Sequence, residues 1–160
     1  IEEKKNGMHY NTSIPFTGSI SSAIETARLH FITNGFRLDQ PGETELVATG
    51  PGMHSTKQNP ITGVSKARIS ISQGSIDIAA ELGGVKFMQK FLYLFPPALA
   101  GFLALIFAFI PGVPGHAPFL AILPVIPWVV LSPLMVRWIR NRTIRALDTL
   151  AHNMTSTANG

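Results

Sequence analysis

A chain of 160 residues has room for one ordinary domain, or for a domain of about 85 residues joined to a membrane module. Only 14% of its residues are charged, against about 25% in a typical soluble domain, and the net charge of +4 is uneven: residues 1–85 carry seven Lys/Arg against eight Asp/Glu, the remainder six against one. That distribution excludes a dedicated nucleic-acid surface, and the lack of cysteine excludes disulfides, thiolate metal sites and a catalytic thiol.

Residues 1–7 are polar and lack the apolar run of a secretory signal, so they read as a flexible N-terminus. A soluble α+β domain is expected over residues 8–85. Tyr10, Thr12, Ile14 and Phe16 alternate on one face of a first strand, with Pro15 at its end. A helix is expected over residues 19–33, where Ile20, Ala23, Ile24, Ala27 and Phe31 recur at helical spacing, opened by Ser22 with Glu25 three residues later and closed by Gly35; Leu29 points away from that stripe. A short strand at residues 36–38, a turn at 40–42 and a strand at 43–49 form a hairpin, and residues 50–63, rich in Pro and Gly, read as a loop. Strict alternation over residues 66–72 and 75–82 around Gln73-Gly74 predicts a second hairpin. The expected order is β-α-β-β-β-β, an antiparallel sheet with its apolar face covered by one helix.

A transmembrane helical hairpin is expected over residues 86–140. Residues 91–110 and 117–136 are each twenty residues without a charge, the length that spans about 30 Å of hydrocarbon. Only a Pro/Gly turn separates them, so they must be antiparallel neighbours. Pro96 and Pro97 interrupt the first segment and Pro124, Pro127 and Pro133 the second. Each removes a backbone donor, so either the arms cover one another, another subunit covers them, or the hairpin dips into a single leaflet. Trp128 falls mid-span and, with Pro96, Pro97 and Pro127, marks a packing surface for a partner. Lys86, Lys90, Arg137, Arg140, Arg142 and Arg145 flank the apolar segments, with Tyr93 and Trp138 beside them, a set suited to anionic lipid headgroups at one interface. The positive-inside tendency then puts the N-terminal domain and the C-terminus of this two-span protein in the cytoplasm. Residues 141–160 read as a basic juxtamembrane helix and a disordered tail.

Signs of chemistry are sparse. His9, His30, His54, His116 and His152 lack metal-ligand spacing, and no nucleotide-binding loop or nucleophile elbow occurs, so no cofactor or metal is expected. The function that best fits these features is a noncatalytic, membrane-anchored accessory or scaffold subunit, its small domain docking on other membrane subunits. The alternatives are a membrane-tethered module that binds or senses a ligand or lipid, and an enzyme whose site forms only in the tertiary structure, around His9 or His54.

Overall fold

The computed structural model describes residues 8–52, 59–72, 74–112, 114–120 and 123–158. It divides into two compact units, Ile1–Lys86 with Ile139–Gly160, and Phe87–Trp138. The first is α+β. Its five strands are β1 (His9–Pro15), β2 (Arg37–Pro41), β3 (Glu45–Thr49), β4 (Lys66–Ser72) and β5 (Ser75–Glu81). They form one antiparallel sheet in the order β1-β5-β4-β3-β2.

Alternation decides which face is apolar. Tyr10, Leu46, Ala48, Ala67, Ile69, Ile71, Ile76, Ile78 and Ala80 are buried on one side of the pleat. The other side presents Lys66, Arg68, Asp77 and Glu81 to solvent, with the Arg68 guanidinium donating to the Glu45 carboxylate across diagonal neighbours. The second hairpin has its expected register, Ser72 opposite Ser75, with Gly74 at φ +100°; Gln73 lies outside the described residues. β2 runs further than residues 36–38, because a register shift between Leu38 and Gln40 lets the edge strand continue to Pro41, where no inner ladder bond is required.

Helix α1 (Ile20–Thr33) occupies the expected stretch of residues 19–33, but Ser22 and Glu25 do not cap it. Ser19 is the N-cap, its hydroxyl accepting from the Ser22 amide, while Glu25 faces Arg28 on the exposed surface. Ala23, Ile24, Ala27 and Phe31 are buried and Leu29 is exposed. α1 packs on β2 and β3.

A single covering helix is not what the chain uses. Five strands span about 20 Å, whereas one helix with its side chains is about 10 Å across, so α1 leaves the β1 side open. Helix α4 (Val125–Ala158) supplies the second cover: beyond Ile139 it belongs to this unit and buries Ile144, Leu147, Leu150, Ala151 and Met154. Residues 155–158, expected to be disordered, are therefore its last turn. The Tyr10 hydroxyl on β1 donates to the Asp148 carboxylate of α4. Burial, then the Asp148 hydrogen bond and negative charge, push the Tyr10 phenol above its ordinary range.

A 3-10 turn (Pro60–Gly63) is clamped between the two helices. Asn59 donates to Asn34 at the end of α1, and Thr143 of α4 donates to the Pro60 carbonyl at 3.0 Å. A Cβ on Gly63 would lie 2.4 Å from the Thr143 hydroxyl and 3.2 Å from the Val85 side chain, so only glycine permits this three-way approach.

Two outcomes follow for the globular unit. Leu147→Ala, at a fully buried position, lowers unfolding stability by about 2–5 kcal/mol, whereas Leu29→Ala, at a residue 57% exposed, changes it by less than about 0.5 kcal/mol; thermal unfolding in mild detergent reads both. Because the folded phenol is held protonated, stability is fully present below the ordinary phenol pKa of about 10 and declines as pH rises beyond it. Tyr10→Phe removes that part of the alkaline decline, measured as the difference between the two proteins' pH–stability curves.

Candidate functional site

The second unit is the apolar excursion between Phe87 and Trp138. Helix α2 (Gly83–Phe109) enters it, and among the described residues α2 is the one helix long and apolar enough to cross a membrane. Only 11% of its most apolar stretch is buried, so it is not the core helix of a globule. Leu94, Phe102, Leu105 and Phe109 are among the large side chains it leaves exposed. In water such a surface far exceeds the few hundred Å² of contiguous apolar patch that monomers tolerate. Over residues 91–110, five Leu, five Phe and two Ile favour bilayer insertion by roughly 4–7 kcal/mol in total, at about 0.3–0.6 kcal/mol each.

The second apolar segment is not one continuous helix. It comprises helix α3 (Ala117–Leu120), a turn at Leu123 and Pro124, and the opening of α4 at Val125; residues 121 and 122 lie outside the described residues. Pro124 lies just ahead of α4, and Pro127 sits in its first turn, where the missing N–H has no helical acceptor to serve. The apolar part of α4, residues 125–136, is about 18 Å long, short of a full crossing by itself.

One polar knot lies inside this unit, and prolines create it. In an α-helix the N–H at position 96 would bond the Leu92 carbonyl, but Pro96 has none. The Trp128 indole N–H donates to that carbonyl instead, at 2.7 Å. Ser132, 1% exposed, donates to the Trp128 carbonyl one turn back and lies 3.5 Å from the Leu92 oxygen. The knot thus joins α2 to α4 at the one carbonyl in it that Pro96 leaves without its helical donor. The sequence carries a signal for it: Pro96 singles out Leu92 by the four-residue rule, and over residues 117–136 only Trp128 and Ser132 have side-chain donors. Pro96 is half-buried there, while Pro97 and Pro127 are exposed.

The flanking residues fall on both units. Lys90, Arg137, Tyr93 and Trp138 belong to the apolar unit and all four are exposed. Lys86, Arg142 and Arg145 belong to the globular unit and are exposed, whereas Arg140 is half-buried. Among the described residues no group of three His, Asp or Glu converges as a metal site. His9 lines an open depression of about 430 Å³ on the polar sheet face, with Asn11, Asp39, Val47, Lys66 and Arg68. Arg68 is engaged by Glu45 and Asp39 accepts from Thr49, while Lys66 and Glu81 complete the charged lining. His30 is half-buried in α1, and desolvation lowers its pKa. His116 and His152 are exposed, and His54 lies outside the described residues.

The proline account yields a double-mutant cycle. Trp128→Phe in the native background costs about 1 kcal/mol of stability, in the range of hydrogen bonds between membrane helices. In a Pro96→Ala background the restored backbone N–H serves the Leu92 carbonyl, and the cost of Trp128→Phe falls by at least half. Unfolding in mixed micelles measures all four corners.

No protein-family model, curated protein or solved structure matches the chain, so its functional reading rests on its own residues and geometry.

Proposed function

We propose that this protein is a noncatalytic, membrane-anchored accessory subunit: its excursion enters and leaves the bilayer on one side, and its α+β unit docks on other membrane proteins at that surface. The observation that carries this reading is the interrupted globule. Lys86 and Ile139 belong to the same compact unit, so the apolar chain between them starts and finishes at one place. A helix exposing that much hydrocarbon needs a lipid or protein environment, and a chain that departs from and returns to one globule makes an even number of crossings. The reading is therefore a hairpin, outbound through α2 and returning through α3, the Leu123–Pro124 turn and the start of α4. Its cations flank the apolar segments and its turn at Pro114–His116 has none, so the globular unit and both ends of the excursion face the cytoplasm.

A docking role is favoured over catalysis by the polar sheet face. Lys66 lies opposite Glu81, and Arg68 holds Glu45. Charges balanced in sign across neighbouring strands suit reversible contact with another protein better than proton transfer. On the apolar side, broken helices with lipid-exposed Leu and Phe present irregular surfaces that a neighbouring helix can fill.

Expressed in its native membrane, the chain should stay in the pellet through alkaline carbonate extraction; release into the supernatant would overturn the anchored reading. In sealed vesicles a cysteine placed at His116 should be labelled only from the side opposite the globular unit. Labelling from the same side would make the excursion a re-entrant loop. Gentle detergent should yield a complex larger than the monomer, and a lone monomer under every condition would remove the accessory role.

A further inference from the structure

We infer that β1 is the docking edge for a second copy of this chain, the two β1 strands pairing antiparallel about a two-fold axis at Asn11. The sheet has two outer strands, β1 and β2, and they are built differently. β2 carries the devices that keep an edge from pairing: Arg37 and Asp39 are charged and exposed, the register shifts between Leu38 and Gln40, and Pro41 ends the strand. β1 has none of these along its length. Its seven residues run in unbroken register with β5, include no Lys, Arg, Asp or Glu, and reach a proline only at the last position.

The two ends of the ladder fix which backbone groups face outward. The Leu82 N–H donates to the Met8 carbonyl at 2.8 Å, and the Phe16 N–H to the Gly74 carbonyl at 2.9 Å. Bonded positions alternate along an antiparallel pair, so Met8, Tyr10, Thr12, Ile14 and Phe16 turn their N–H and C=O groups toward β5. His9, Asn11 and Ser13 turn theirs outward, and among the described residues no hydrogen bond reaches them. Their side chains are exposed as well. One register satisfies all of these groups. With Asn11 opposite Asn11 of the second copy, His9 stands opposite Ser13, and every outward donor and acceptor of the three residues meets its complement. Moving the centre to Thr12 sets the His9 carbonyl against Pro15, which has no N–H to offer. Moving it to Tyr10 carries Ser13 past the end of β1. On the other side of the pleat the Asn11 register sets Ile14 opposite Met8, both only half-buried in one copy, so two partly open apolar flanks close on each other. An unrelated strand offers the same backbone bonds. A second copy also matches Ile14 with Met8 at both ends and brings no charge against an uncharged strand.

The chain has no cysteine, so single-cysteine variants of the full protein, oxidised in its native membrane, report this contact directly. Bonded antiparallel partners have Cα atoms about 5.5 Å apart, within the reach of a disulfide. Asn11→Cys should therefore give a covalent dimer, while Asp77→Cys, exposed on the same face but one strand further in, should stay monomeric. Mixing reads the register: His9→Cys and Ser13→Cys each stay monomeric alone and cross-link when co-expressed. His9→Lys/Ser13→Lys in the Asn11→Cys background sets like charges opposite each other and should cut the dimer yield several-fold. No dimer from Asn11→Cys, an equal yield from Asp77→Cys, a mixture that fails to cross-link, or a yield that the lysines leave intact overturns the inference. So does Asn11→Cys joined to a different protein. None of these outcomes touches the anchored reading. Release of the chain by carbonate would sink that reading alone, and the same oxidation would then test the pairing in solution.

Discussion

The width of a five-stranded sheet governs this molecule. α1 covers the β2–β3 side, and α4 beyond Ile139 belongs to the same unit, reaching β1 through the Tyr10–Asp148 hydrogen bond. Ile144, Leu147, Leu150 and Met154 are nearly inaccessible. At about 1.5–3 kcal/mol each, their burial is of the same order as the whole net stability of a domain. The C-terminal helix is thus part of the core, and the globular unit is discontinuous in sequence. Everything between Lys86 and Ile139 is an insertion into it.

That insertion explains the cluster of close contacts at its base. Gly83 and Gly84 open α2 where a Cβ would strike Ser65 or the Thr62 carbonyl, and Gly63 admits Thr143 and Val85. The two ends of the excursion are consequently fixed in the globular unit by backbone approach and by the Thr143–Pro60 hydrogen bond, with little linker on either side. Within the apolar unit a different device operates. A carbonyl deprived of its donor by Pro96 becomes the acceptor for Trp128, so a residue type that weakens one helix supplies the attachment point for another.

How much of this the sequence discloses depends on the range of the interaction. β4 and β5 are legible because Ala67, Ile69, Ile71 and Ile76, Ile78, Ala80 alternate locally, and α1 because its stripe repeats every three or four residues. Its extent is legible too, but the capping residue is not, since Ser19, Ser21 and Ser22 are all competent caps and a local motif does not choose among them. The stripe Ile144, Leu147, Leu150, Ala151 is visible too, but it announces the need for an apolar partner without naming one. The structure buries it within the globular unit, to which the Tyr10–Asp148 hydrogen bond ties α4 across 138 positions. Continuity of apolar composition over residues 117–136 likewise concealed a break, because hydropathy ignores the backbone consequences of Pro124. The candidate site was legible in composition, as flanking cations and a mid-segment tryptophan, but not in grouping: Arg140 separates from Arg142 and Arg145 only once helical phase and burial are known.

Placing α4 after the insertion has a consequence for biosynthesis. All five strands and α1 leave the ribosome before α4 is made, so the nascent chain carries a half-shielded apolar sheet throughout translation of the insertion. Such an intermediate is prone to aggregate and suits chaperone protection until α4 emerges. Translation that stops short of Ile139 leaves a product lacking part of its interior, so this unit cannot close before the whole insertion has been made.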